Sequence, residues 1–385
     1  MTEQWTEYDV TFALTYYRPY VSGLSEAARL VAEGLASRGW KVAVVCTRHD
    51  PDLPLYEVRS GVSIHRSPVQ ATIGKGAISL SFLPLVRRLS RQSRLLNLHL
   101  PLLEAGPLTA MSKAPVVLTY QCDVVLGRSM FGRATVKVID VSSRWALRRA
   151  EAVVFSSMDY AQASRLARSP RRATHVIRPP HVDRAGGSPT YRETSGMHIG
   201  FLGRIVAEKG LDILVDAFSG LGDEYARLLI GGDFTSVAGG SVLPDLQRAL
   251  ERDDRVRLLG FVPDSRVPDF LASLDLFVLP SVNSLEAYGI VQLEAMTAGV
   301  NVIASDLPGV RVPIQTYGWG TLVPPGDTLA LKRTMQEAAG WPKHIDQEQL
   351  NQQLRTDDPI DVYEELFTNV IRHSGSSPPG SAHPR

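Results

Sequence analysis

Residues Leu276 to Gly299 run Leu-Phe-Val-Leu-Pro-Ser-Val-Asn-Ser-Leu-Glu-Ala-Tyr-Gly-Ile-Val-Gln-Leu-Glu-Ala-Met-Thr-Ala-Gly. Leu276 to Leu279 have the length and composition of a buried strand. A polar loop follows, and then a helix expected from near Gly289 to Gly299, a residue suited to a C-terminal cap. Strand, turn and helix make half of a parallel unit. In open parallel sheets ligands sit beyond the carboxyl ends of the strands, where the next helix points its unpaired amides. The amides of Tyr288, Gly289, Ile290 and Val291 are therefore expected to hold a phosphate, with Gly289 letting the backbone approach closely. Glu286 and Glu294 frame the turn with seven residues between them. Acids beside an anion cradle suit neutral hydroxyls, such as a ribose and a sugar on either side of a diphosphate. Taken alone, the two carboxylates read more readily as solvated surface groups.

Working outward, His198 to Gly203 reads as a strand whose mouth carries Arg204, and Lys209 follows on the same loop before a helix from Leu211 to Phe218. A guanidinium and an ammonium aimed at one place suit two phosphate oxygens. Further strands are expected at Arg227 to Ile230, Val256 to Leu259, Val302 to Ser305 and Thr321 to Val323, alternating with helical patterns.

The stretch from Glu286 to Gly299 resembles the signature of the retaining glycosyltransferases of family 4. Gly203-Arg204-Ile205-Val206-Ala207-Glu208-Lys209-Gly210 resembles that family's donor-phosphate motif. Leu259-Gly260-Phe261-Val262 and Ser305-Asp306-Leu307-Pro308-Gly309 fit as well. The resemblance is strong over residues 198–330 and weaker before them. It implies an α/β fold of the GT-B type, two Rossmann-like doubly wound domains facing a central cleft. It implies catalytic roles for Arg204, Lys209 and Glu286. It implies a donor site of Gly23, Arg204, Lys209, Val262, Glu286, Tyr288, Gly289, Ile290, Val291 and Glu294, with Glu286 on the sugar and Glu294 on the ribose. The donor is a nucleotide-diphosphate sugar, and no metal or other cofactor is expected.

The 385 residues suggest two domains, and 44% hydrophobic with 21% charged residues is an ordinary globular composition. There is no apolar run of the ~18 residues that a membrane span needs. The N-terminus lacks the apolar core of a secretory signal. Only Cys46 and Cys122 are present, so no disulfide framework is expected. A cytoplasmic location follows as the expectation. Residues 1–184 hold 25 Lys and Arg against 14 Asp and Glu, net +11, whereas residues 185–385 are net −10. A basic half suggests an anionic partner, a phosphate-bearing acceptor or a membrane surface, rather than nucleic acid, since no recognition motif appears.

The basic half opens with a strand from Val10 to Thr15 and a helix from Leu24 to Arg38, whose Ala28, Val31, Ala32 and Leu35 share a face. Ser22-Gly23 stands between them where the resembled family carries a Gly-Gly pair. His49-Asp50-Pro51-Asp52 offers an Asp-x-Asp, read as a solvated turn rather than a metal site. Leu80 to Leu96 reads as one amphipathic helix with Arg87, Arg88, Arg91 and Arg94 on one face, fit for the inner face of an anionic membrane. An ordinary surface helix is the other reading. Strand ends near His99 and Tyr120 place His99, Gln121 and Asp123 on the acceptor side, and Gln121 stands where the family commonly has His. Gln still bonds a hydroxyl but does not titrate near neutrality.

Residues 1–184 are expected to form an acceptor-binding domain, 185–197 a Pro- and Gly-rich linker, and 198–358 a nucleotide-sugar domain. Residues 359–373 form a helix crossing back to the first domain, and 374–385 a disordered tail. The expected activity is metal-independent, retaining transfer of a hexose from GDP or UDP to a hydroxyl of an envelope lipid or glycan precursor. A weak or inactive sugar-nucleotide-binding subunit, a transferase acting on a small secondary metabolite and a nucleotide-sugar epimerase are the alternatives.

Overall fold

The computed structural model describes residues 7–73, 76–126, 129–232, 247, 251–341 and 347–375. The expected tail lies mostly outside them. The chain divides into two compact units, Met1–Phe155 with Ser164–Arg178 and Asp358–Arg385, and Ser156–Ala163 with Pro179–Asp357.

The first unit is built on strands β1 (Tyr8–Ala13), β2 (Val42–Arg48), β3 (Tyr56–Arg59), β4 (Val62–Pro68), β7 (Ser93–Leu100), β8 (Val116–Tyr120), β9 (Ala152–Phe155) and β10 (Ala173–Val176). Two short strands, β5 (Ala71–Ile73) and β6 (Gly76–Ile78), form a separate ribbon. The main sheet runs β10-β9-β8-β7-β1-β2-β4-β3, parallel except where β3 meets β4. The winding reverses between β1 and β7, which places the switch point beside the mouth of β1. Helix Gly23–Ser37 buries Ala28, Val31, Ala32 and Leu35 against the sheet, as its spacing predicts.

The C-terminal helix, Pro359–Gly375, belongs to this unit and packs on helix Gly23–Ser37 and on β7. Its Phe367 is fully buried, with its ring 6.1 Å from that of Phe12 and 6.3 Å from that of Trp40. Glu364 accepts from Trp40 Nε1 at 2.9 Å and pairs with Arg38 at 2.7 Å. Emptying the Phe367 site leaves a cavity that close-packed neighbours fill only in part. Phe367→Ala is expected to cost about 3–5 kcal/mol of unfolding free energy, measured by urea denaturation.

The helix expected over Leu80 to Leu96 is corrected. It ends at Ser90, and Ser93–Leu100 is the buried strand β7. Phe82, Val86 and Leu89 are buried and the helix packs on β2, β4 and β7, so this apolar face serves the unit's own core. Arg87, Arg88 and Arg91 are exposed, while Arg94 lies on β7 and pairs with Asp9 at 3.1 Å. Among the described residues no helix is long and apolar enough to cross a membrane.

The second unit holds a fully parallel sheet of β11 (His198–Leu202), β12 (Arg227–Gly231), β13 (Val256–Gly260), β14 (Leu276–Leu279), β15 (Asn301–Ser305) and β16 (Gly320–Val323), ordered β13-β12-β11-β14-β15-β16. Its reversal falls between β11 and β14, the two strands that open the quoted motifs.

The expected linker is also corrected. The second unit begins at Pro179, because side chains distant in sequence pin this aperiodic stretch. Arg184 N donates to Thr297 Oγ1 at 3.2 Å, Ser188 N to Asp269 Oδ1 at 2.9 Å and Tyr191 N to Ser273 Oγ at 3.0 Å. Ser156–Ala163 joins it in the same way, with Tyr160 Oη donating to Ser284 O at 2.9 Å and Asp159 accepting from Gly309 N at 2.7 Å.

Candidate functional site

The mouths of β11 and β14 meet at the second unit's switch point. Beyond β11 the chain passes Arg204, makes a 3-10 turn at Ala207–Lys209 and enters helix Leu211–Ser219 through Gly210. Beyond β14, Val282 N donates to Glu208 O at 3.0 Å and joins the two loops. Lys209 Nζ donates to Glu286 Oε2, and Ser281 Oγ lies 3.5 Å from the same oxygen. The Lys209 and Glu286 side chains are only 14% and 16% exposed. The Arg204 guanidinium stands 3.5 Å from Glu208 and is 28% exposed. One loop thus offers two cations, and the facing loop offers a carboxylate that one of them already holds.

Helix Ile290–Thr297 follows, with Gly289 as its N-cap at φ 74° and ψ 59°. A Cβ there meets Leu279 Cδ2 and Gln292 Nε2 at 2.5 Å, so the turn requires glycine for both its conformation and its space. Buried Gln292 fixes the turn from below, donating to Tyr288 O at 3.1 Å and Val310 O at 3.0 Å. The amides of Ile290 and Val291 belong to the first helical turn, where no preceding carbonyl is in register to accept them. Tyr288 is buried. Gly299 ends the helix in the left-handed conformation, φ 83°, its amide donating to Met296 O at 2.9 Å.

Glu294 lies on this helix with its side chain 14% exposed. Its pKa is raised, chiefly by burial, and Arg184 and the Val182 amide oppose that shift only in part. Arg184 Nε lies 3.3 Å from Glu294 Oε2, and its Nη2 donates to Asp264 Oδ1 at 2.7 Å. Val262 is 7% exposed and its side chain belongs to the core of the unit. Arg204, Lys209 and Glu286 thus lie at the mouths of β11 and β14, Glu294 lies on the helix that follows β14, and Val262 is turned inward.

In the first unit Gly23 opens its helix behind a capping box, Ser25 N donating to Ser22 Oγ at 3.2 Å and Ser22 N to Ser25 Oγ at 2.8 Å. A Cβ on Gly23 meets nothing within 4 Å. Asp50 Oδ1 accepts from Asp52 N at 2.9 Å, which makes the Asp-x-Asp an Asx turn. No disulfide joins Cys46 and Cys122.

His99, on β7, is 1% exposed, with Nδ1 3.4 Å from Gln121 Nε2 and its ring 5.7 Å from Phe12. Burial pushes its pKa down to about 3, so it is neutral near pH 7. The folded value lies below the unfolded value of ~6.5. Protons therefore favour the unfolded chain as pH falls through ~6.5, and this stability loss continues until the folded group titrates near 3. His99→Asn is expected to lose about 2 kcal/mol less stability than the native chain between pH 7 and 5, read from urea midpoints at each pH.

Asp123 does not face open space. Its carboxylate accepts from Tyr120 Oη at 2.5 Å, Ser164 Oγ at 2.8 Å and Arg165 N at 3.3 Å, and it is 5% exposed. Arg165 in turn grips Asp140 through Nε at 2.7 Å and Nη2 at 2.8 Å. Asp123 anchors the loop beyond β8. No local sequence pattern marks Tyr120, Ser164, Arg165 or Arg184 as functional.

A family model described as Glycosyl transferases group 1 matches residues 193–353, and one described as Glycosyl transferase 4-like domain matches residues 22–180. The chain is 30% identical over 264 residues to a 2-deoxystreptamine glucosyltransferase of Streptomyces kanamyceticus, covering 63% of this chain and 66% of that protein. It is 28% identical over 336 residues to a phosphatidyl-myo-inositol mannosyltransferase of Mycobacterium leprae, covering 80% and 81%. Among solved structures, Anabaena HepE in complex with UDP and glucose is similar at a TM-score of 0.70 and 18% identity, over 94% of this chain and 99% of that one. The sucrose-phosphate synthase of Thermosynechococcus elongatus is similar at 0.69 and 18%, over 95% and 97%. These structures share the fold.

Proposed function

The chain belongs to the group 1 glycosyl transferases of the family 4 type, and on that premise we propose that it moves a hexose from a GDP- or UDP-linked donor to a hydroxyl acceptor, with retention and without a metal. The observation that carries this reading is the Lys209–Glu286 pair at the switch point, beside Arg204 and the helix start at Gly289. A diphosphate entering here draws Lys209 and Arg204 to its oxygens and frees Glu286 to accept from the sugar hydroxyls. The amides at Gly289 and Ile290 take part of the same negative charge. In the transfer step the bond from the anomeric carbon to the phosphate oxygen breaks, and a bond to the acceptor oxygen forms on the same face. The acceptor proton passes to the departing phosphate oxygen. Among the titratable groups, His99 is buried and neutral and Asp123 is engaged, which supports the phosphate itself as the base.

For the acceptor, an envelope lipid or glycan precursor handled at the inner face of the membrane is supported by the exposed Arg87, Arg88 and Arg91. Such contact is electrostatic, since the apolar face beneath them is buried. A small polyhydroxylated metabolite is the second reading. That buried face favours it, as does the name of the 2-deoxystreptamine glucosyltransferase. The test uses purified chain with UDP-glucose, UDP-galactose, UDP-N-acetylglucosamine and GDP-mannose, following released nucleotide with and without EDTA. Each donor is offered a membrane-lipid extract or a set of soluble cyclitols. Acceptor-dependent release that survives EDTA supports the proposal, and the stimulating acceptor decides between the readings. Release that EDTA abolishes refutes metal independence, and nucleotide binding without release favours a non-catalytic subunit.

A further inference from the structure

Arg184 is 7% exposed and held at both ends. Its main-chain amide donates to Thr297 Oγ1 at 3.2 Å, one turn beyond Glu294 on the same helix. Its guanidinium donates to Asp264 twice, Nη2 to Oδ1 at 2.7 Å and Nη1 to the carbonyl oxygen at 3.2 Å. Its Nε faces Glu294, at 3.3 Å from Oε2. Asp264 stands two residues beyond Val262, on the turn that follows β13. One side chain thus spans the two segments expected to wall the nucleoside, and nothing in the sequence motifs assigns it a role.

We propose that Arg184 is a positioning residue for nucleoside recognition, which orients the Glu294 carboxylate toward the ribose hydroxyls of the donor; this rests on the reading of Glu294 as the ribose ligand. A carboxylate has roughly four acceptor sites. Arg184 Nε takes one and the Val182 amide, at 3.5 Å, faces the other oxygen. Two sites remain, the number that a vicinal diol requires. The charged groups facing Glu294 are Arg184 and, with the opposite effect, Asp264. Without the guanidinium, a carboxyl in this buried setting loses both its direction and its main source of charge compensation, and a protonated acid accepts fewer hydrogen bonds.

The experiment is isothermal titration of the purified full chain at pH 7 with UDP and GDP and with their 2′,3′-dideoxy counterparts. The native chain is expected to prefer the better ribonucleotide over its dideoxy form by about 10- to 100-fold, the effect of hydrogen bonds to a charged group. In Arg184→Gln that ratio is expected to fall to within about threefold while dideoxy affinity stays within about threefold of native. Equal weakening of both ligands indicates a merely structural role and overturns the proposal, as does an unchanged ratio. Glu294→Gln is measured in parallel. If it abolishes the ratio and Arg184→Gln does not, the inference about Arg184 fails alone; if it leaves the ratio intact, the ribose reading fails and takes the inference with it. Binding of neither nucleotide sinks both. Should Arg184→Gln fail to fold, Asp264→Asn decides. It loosens the 2.7 Å anchor at a side chain 56% exposed, and an unchanged ratio there overturns the proposal.

Discussion

Lys209→Ala is expected to lower kcat/KM for sugar transfer by about 10²- to 10³-fold, the loss that follows removal of one preorganised group from developing charge. The stability cost is expected to be about 1–3 kcal/mol, since removing Lys209 leaves the largely buried Glu286 carboxylate without its cation. Glu286→Ala is expected to act similarly for a different reason, the loss of an acceptor for the sugar hydroxyls. Because the two groups contact each other, the double variant is expected to cost much less than the product of the single losses. Steady-state rates with circular dichroism and urea midpoints check this. Near-native rates in both single variants contradict the site. Rates that fall only in step with the folded fraction reduce the pair to a structural brace.

The part of this site that could be read from the sequence is the part written in short-range patterns. Leu276–Leu279 is a strand because four apolar residues in a row suit a strand buried on both faces, and Gly299 ends the next helix as its type predicts. The turn Ser60-Gly61 between β3 and β4, with φ of 49° and 76°, is a short-range pattern of the same kind, a Ser-Gly pair between two alternating apolar runs. Arg87 to Arg94 misled for the opposite reason. Their spacing imitates a helical face across a true boundary, and Arg94 then alternates outward from a strand whose other residues are buried. The Asp123 network depends on Ser164 and Arg165, and the Arg184 clamp on Asp264 and Glu294, partners about 40, 80 and 110 positions away. Such pairs leave no periodicity, since only the folded sheet brings them together. The boundary at Pro179 is likewise set by partners distant in sequence.

Gly210→Ala is expected to disrupt both the fold near the site and the site itself. Gly210 has φ 63° and ψ 34°, a left-handed conformation that costs an L side chain about 1–2 kcal/mol. Space adds a second penalty. A Cβ here runs into the carbonyl oxygen of Pro280 and comes within 3.0 Å of Val282 Cγ1, so the loop after β14 has to retreat from the loop after β11. The retreat strains the hydrogen bond from Val282 N to Glu208 O, 3.0 Å in the native chain, and carries Glu286 away from Lys209. Strain and overpacking together are expected to cost about 2–4 kcal/mol, and displacement of the cation to lower kcat/KM more than about tenfold in the fraction that still folds. Gly23→Ala is the control. Its added Cβ meets no atom of the chain within 4 Å, so stability is expected to hold within about 0.5 kcal/mol, and any fall in rate reports on the ligand rather than the fold. If Gly210→Ala keeps both its urea midpoint and its rate, the two loops are not braced against each other at this point. The separation between Lys209 and Glu286 must then be set elsewhere.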